Sequence, residues 1–277
     1  MVFLPKIGSN IGGSRRWINL GFFSFQPSEF LKLSFIIYFS AWLSKRLEKR
    51  ERTGEMLIGF FIIVGLISLF LILQPDISTL SIIALIAFLM YFVSGMPLWH
   101  NIIIGTLGIG ALAVLVKLAP YRMNRVLVFL KPELDPLGIG YQLKQSLIAI
   151  GSGGLKGQGL GMSQQKFGFI PNASSDAIFS IFAEETGFIG ALLLILIFTF
   201  ILFQGFKIAK LSKNNFMKLM AFGITIWIVF QAFVNISSMI GVLPLTGIPM
   251  PLVSFGGSAV IAELAGLGLL LNISKYT

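Results

Sequence analysis

The chain has 277 residues, of which 56% are hydrophobic and 12% charged, and it carries a formal net charge of +10. Soluble domains carry about 25% charged residues, so a soluble globular protein is excluded. The absence of cysteine excludes disulfides, thiol catalysis and cysteine-ligated metals, and one histidine, His100, is too few for an imidazole cluster.

Seven apolar stretches, at 30–44, 57–73, 77–94, 98–118, 178–206, 216–240 and 257–273, are the candidates to cross about 30 Å of hydrocarbon. The first is short unless residues 26–29 open it. Backbone groups find no water inside a bilayer, so such stretches must be helices. The expected fold is therefore all-α and polytopic, with about seven transmembrane helices. A large loop at 119–177 separates the fourth span from the fifth.

Short loops set the topology. Lys45, Arg46, Lys49, Arg50, Arg52, Lys207, Lys210, Lys213, Lys218 and Lys275 all fall on one side, which should be the cytoplasm. The opposite short loops, 74–76 and 241–257, carry no Lys or Arg. The 119–177 loop then lies outside. Cations beside spans point to anionic lipid headgroups rather than nucleic acid as counter-ions. The same scheme puts Lys6, Arg15 and Arg16 outside with nothing upstream to carry them across, so further helices are expected before residue 1.

In chain order, a glycine-rich loop with Arg15, Arg16 and Trp17 leads into a helix start. Pro27 suits the first helical position and Glu29 the positive helix end. Glu29 and Lys32 share a face and can pair; with Arg15 and Arg16, Lys32 could instead bind a phosphate. Gln74-Pro75-Asp76 reads as turn chemistry or as a polar site at the outer rim. His100, in a short turn, reads as solvated or interfacial.

Within the large loop, YRMNRVLVFLKPELDPLGIGYQLKQSLIAI has helical apolar spacing with cations on the other face. An amphipathic helix, a Pro-rich break and a second helix are expected, with Glu133 and Asp135 solvated. The glycines at 157, 159 and 161 lack a GK[ST] ending and a preceding strand, so a nucleotide loop is excluded. Close backbone packing is expected instead. Asp176, Ser180 and Glu184 are spaced by four, on one helical face. With Ser174 or Ser175 as N-cap, Asp176 reads as a first-turn acid matched to the helix dipole; it also reads as a functional acid at a membrane boundary. Glu263, alone in the last span, is either functional by the same rule or a protonated packing residue.

Several motifs, in order, resemble the SEDS family (shape, elongation, division and sporulation): GGSRRWINLG…FQPSEFLKL, QPDISTL, the 121–171 stretch ending GQGLGMSQQKFGFIP, SDAIFSIFAEETG, and GVLPLTGIPMPLVSFGGSA. The 145–171 stretch resembles the division and sporulation branch. Members have ten membrane helices, so the resemblance implies that this chain lacks the first three. It further implies a peptidoglycan glycosyltransferase of the bacterial cytoplasmic membrane, acting on lipid II at the outer face beside a class B penicillin-binding protein and other divisome or elongasome proteins. The family's essential acid aligns with Asp176, the general base. The usual His-Thr-Asp-Phe-Ile-Phe reads Ser174-Ser175-Asp176-Ala177-Ile178-Phe179 here, so the local substrate contacts differ. Expected substrate contacts are Arg16, Glu29, Lys32, Gln142, Lys156, Ser175 and Ser180. No cofactor is firmly implied, and a divalent cation beside the pyrophosphate stays open. A lipid II flippase and a non-catalytic scaffold are the competing roles.

Overall fold

The computed structural model describes residues 8–11, 14–19, 24–49, 53–171 and 174–277. The helices are α1 (Pro27–Glu48), α2 (Thr53–Leu73), α3 (Ile77–Val93), α4 (Leu98–Lys117), α5 (Pro120–Leu130), α6 (Ile139–Ser152), α7 (Ile178–Leu211), α8 (Asn215–Met239) and α9 (Gly257–Ser274). All seven apolar stretches are helical. Five helices, α2, α4, α7, α8 and α9, are long and apolar enough to cross a membrane, and α3 is a shorter apolar helix. The fold is that of a polytopic α-helical membrane protein.

One expected loop takes another form. Strands β1 (Gly8–Ile11), β2 (Ser14–Asn19) and β3 (Ser24–Phe25) form a small antiparallel sheet in that order. A register shift falls between Ser9 and Asn10. Of the glycines read as a loop, Gly12, Gly13 and Gly21 lie outside the described residues.

The chain divides into two compact units. The first holds Met1–Gly108, Leu202–Ile228 and Gly257–Thr277. Here α1 starts at Pro27 with Glu29 in its first turn, and ends with Lys45 and Arg46 in its last. Each charge opposes the partial charge of its helix end. The helix opens at Pro27, ahead of its apolar stretch, and runs for 22 residues, but it is not one of the five long apolar helices. It packs against α3 and α9, burying Phe35, Ile36, Phe39 and Leu43. Gly223 lets α8 approach Ile36 and Met90; a Cβ there would come 2.8 Å from each.

Asp76 is the N-cap of α3, accepting from the Thr79 N–H at 3.3 Å and the Thr79 hydroxyl at 2.9 Å. The turn reading of 74–76 holds. His100, read as solvated or interfacial, is instead fully buried, with Nδ1 2.7 Å from the Tyr91 hydroxyl. A buried polar ring needs such a partner, and α3 supplies it from nine residues upstream.

The second unit holds Ile109–Ile201 and Val229–Gly256. Amphipathic α5 is followed by a 3-10 turn at Pro132–Leu134 and by α6, as the loop pattern predicts. Glu133 is exposed. Asp135, expected in solvent, is half-exposed and also accepts the Ile139 N–H at 2.8 Å, which satisfies a donor at the start of α6.

Candidate active site

Asp176 lies two residues ahead of α7, outside its first turn. The reason is where the backbone carbonyls go. Ser174 C=O accepts the Phe255 N–H at 2.9 Å, Ser175 C=O accepts the Ser254 hydroxyl at 2.6 Å, and Asp176 C=O accepts Asn235 Nδ2 at 2.7 Å. Three successive carbonyls are thus engaged outside any helix, and α7 begins only at Ile178. Asn235 Nδ2 also reaches Ile248 C=O at 2.8 Å. One amide group therefore joins the acid's backbone to the 241–256 strap.

The strap is pinned elsewhere too. Gln231 Nε2 donates to Pro249 C=O at 3.0 Å, and the Met250 N–H donates to Ser254 Oγ at 2.7 Å. Arg125, on α5, donates to the carbonyls of Leu245 and Thr246 at 3.2 and 3.3 Å. Gly247 adopts φ +68°, and a Cβ on it would lie 3.4 Å from Asp176 Oδ2. The strap backbone therefore runs directly beside the carboxylate.

Asp176 is half-buried. Burial pushes its pKa above the ordinary 3.8, while the Ser175 hydroxyl and the Arg125 guanidinium pull in the other direction. A cleft of about 510 Å³ is lined by Ser174 and Ile178, on either side of the acid in sequence, and by Lys166, Phe167, Ile170 and Ile181. One cation, itself paired with Glu185, stands among the apolar walls.

The glycine-rich stretch packs as expected. At Gly187, α7 leaves helical geometry (φ 70°, ψ −167°), and the 154–159 backbone bonds into the break. The N–H groups of Phe188 and Ile189 donate to Gly154 and Leu155 C=O, and those of Gln158 and Gly159 donate to Glu184 and Glu185 C=O. Gly157, at φ +80°, would drive a Cβ into the Glu185 carbonyl, while Gly154, at φ +52°, has open space. Gly157→Ala should therefore lower stability by about 2 kcal/mol or more, combining backbone strain with a clash that only backbone movement relieves. Gly154→Ala should cost only the strain. Thermal unfolding of both variants in detergent checks this, and equal losses would sink the packing account.

The following residues are held by two adjacent acids. Glu184 accepts from the Ser163 hydroxyl and from the Gln164 N–H at 3.1 Å. Glu185 pairs with Lys166 Nζ at 3.0 Å, and Nζ also donates to Gly161 C=O at 2.6 Å. Lys166 is thereby fixed at the cleft.

The other expected site residues are distributed as follows. Ser175, expected as a substrate contact, hydrogen-bonds the Asp176 side chain. Ser180 is fully buried, and among the described residues its hydroxyl has no hydrogen-bond partner. Gln142 is half-buried on α6, and Lys156 is exposed on the glycine-rich stretch; neither lines the cleft. Glu29 and Lys32 belong to the first unit, where they form a 2.8 Å ion pair, 4% and 1% exposed. The Lys32 ammonium lies 5.4 Å from the Trp227 ring centroid. Arg16 sits on β2, and its side chain lies outside what is described. Glu263 is buried in α9. Among the described residues no three His, Asp or Glu side chains cluster in a way that could hold a metal ion.

Sequence reasoning missed Arg125 and Asn235 as site residues, and it did not set Lys166 apart from the other loop cations, Lys144 and Lys156. Asn235 had a usable signal, an amide inside an apolar helix. The other two carried no mark separating them from neighbouring cations.

The model of the FtsW, RodA and SpoVE cell cycle proteins matches residues 1–277, and the chain belongs to that family. It is 41% identical to the stage V sporulation protein E of Bacillus subtilis, over 100% of this chain and 76% of that protein. It is 39% identical to the probable peptidoglycan glycosyltransferase FtsW of Thiomicrospira cyclica, over 98% and 70%. A solved chain from work on structural coordination of polymerization and crosslinking by a peptidoglycan synthase complex superposes with a TM-score of 0.74 at 31% identity, over 97% of this chain and 75% of that one.

Proposed function

We propose that the chain is a peptidoglycan glycosyltransferase that polymerises lipid II, with Asp176 as the general base. The observation that carries this reading is the half-buried carboxylate of Asp176, held by its backbone between Ser174 and Ile178, which line an apolar cleft together with Lys166. Relatives named as peptidoglycan glycosyltransferases support it.

A sugar hydroxyl of one lipid II attacks the anomeric carbon of another, or of the growing strand. Asp176 takes the hydroxyl proton as the new glycosidic bond forms. The bond to the lipid pyrophosphate breaks on the opposite face, so the anomeric configuration inverts. Pyrophosphate leaves as a stable anion without prior protonation, so one carboxylate suffices where glycosidases need a pair. The departing charge is met by cations, among which Lys166 lines the cleft. The reading also places the protein in the bacterial cytoplasmic membrane, with this site on the outer face. Its partner is a class B penicillin-binding protein, in keeping with the synthase complex to which the chain is similar.

The test is lipid II polymerisation by the purified protein with its penicillin-binding partner. Glycan strands support the reading. Lipid II transfer between leaflets without polymer would replace it with a flippase, and neither activity would leave a scaffold.

The pH profile adds a second check. The base works ionised, so kcat/KM should fall as pH drops through the raised Asp176 pKa. The acidic limb should then lie above the ordinary carboxylate value of 3.8. Ser175→Ala removes a hydrogen bond that favours the ionised form, so the limb should move further up, where each unit corresponds to about 1.4 kcal/mol. A limb at the ordinary value, unmoved in the variant, would refute this environment for the base.

A further inference from the structure

Resting on the glycosyltransferase reading, we propose that Arg125 is a positioning residue for the reaction: from α5 it clamps the start of the 245–248 strap and thereby fixes the place of the Asp176 carboxylate. The path is short. The guanidinium bonds Leu245 and Thr246 C=O at 3.2 and 3.3 Å. The next residue, Gly247, is the one whose Cβ would stand 3.4 Å from Asp176 Oδ2. Ile248 C=O then shares Asn235 Nδ2 with the Asp176 carbonyl.

The far end of the strap has other pins, in Gln231 and Ser254. The first residues of the strap are tied to α8, with the Val242 and Leu243 N–H groups donating to Ser237 C=O at 2.8 and 3.1 Å; Arg125, 120 residues away in sequence, holds residues 245 and 246. Both bonds leave one nitrogen, Nη1, at the tip of a planar guanidinium; a lysine ammonium reproduces the charge but not the guanidinium's reach or its planar donor geometry.

The charged surroundings of Asp176 are sparse. The 241–256 strap contributes no titratable side chain, and α8 faces the acid's backbone with neutral Asn235. Ser175 contributes a hydroxyl, and α5 contributes Arg125, whose charge favours the ionised carboxylate. Lys166 lines the cleft next to Ser174. Losing Arg125 therefore removes a clamp and a cation together, and the two can be separated by substitution.

The experiment compares wild type, Arg125→Lys, Arg125→Gln and Arg125→Ala in the complex with the penicillin-binding partner, reconstituted in nanodiscs. It reads kcat, KM and the pH profile of lipid II polymerisation, and hydrogen exchange of residues 241–256. Arg125→Ala should lower kcat about tenfold or more with KM little changed, move the acidic limb up, and speed exchange at 245–248 while α6 stays protected. Arg125→Gln should move the limb with a smaller loss of kcat. Arg125→Lys should restore the limb but only part of kcat.

A higher KM with kcat and the limb unmoved would overturn the proposal, because Arg125 would then be contacting substrate. Unchanged strap exchange in all three variants would overturn it as well. Should wild type make no polymer, the glycosyltransferase reading fails, and the exchange data still decide whether Arg125 holds the strap.

Discussion

Asp176→Asn should abolish glycan polymerisation, with a loss of at least about 10²-fold, the lower end of what a positioned general base contributes. The variant should remain folded for a specific reason. The bonds that hold this turn are made to the backbone carbonyls of Ser174, Ser175 and Asp176, and an amide of the same shape leaves them intact. Burial of an ionisable carboxyl is costly, so the neutral variant should unfold no earlier than wild type. Strand length on gels, lipid II binding and the unfolding temperature are the measurements. Polymer from Asp176→Asn at the wild-type rate would remove this residue from catalysis. A variant that unfolds early would instead show that the acid serves structure.

Lys32→Met should be the most destabilising single change in the first unit. Glu29 and Lys32 are both almost completely buried and 2.8 Å apart. Removing one partner of such a pair leaves an uncompensated charge, at a cost of about 3–5 kcal/mol. The double variant Glu29→Gln, Lys32→Met should recover part of that stability, since the Glu29 charge is then no longer stranded. Denaturant unfolding in detergent reads both. A double variant no more stable than Lys32→Met would mean that the loss is one of packing against Trp227, whose ring the ammonium faces.

Hydropathy was enough to find the helices, because a bilayer leaves the backbone no other option. The glycine-rich stretch was also readable: Gly157 is needed where the chain touches the Glu185 carbonyl. Asp176 was picked out by resemblance and by its boundary position, but its local geometry was not. Spacing by four put it on the helix with Ser180 and Glu184, whereas bonds from Asn235, Ser254 and Phe255, residues far along the chain, hold it off the helix. No local pattern encodes partners that distant. His100 failed for a different reason: its partner Tyr91 is only nine residues upstream but lies on a separate helix, α3. Lys156 and Lys166 differ little as sequence, and only the Glu185 pairing sets the second at the cleft.

The interruption of α7 at Gly187 has a mechanical consequence. Its 34 residues would span about 51 Å as one straight rod, far more than the roughly 30 Å of hydrocarbon. Residues 188–211 alone reach about 36 Å, so the short piece before the break is free to act as a pedestal rather than as part of the span. That pedestal is bonded to the glycine-rich stretch, and the acid stands at its head. The 154–159 backbone bonds to Glu184 and Glu185 before the break and to Phe188 and Ile189 after it, so the break is a braced bend rather than a free joint. One loop thus holds both the pedestal under the carboxylate and the head of the long piece.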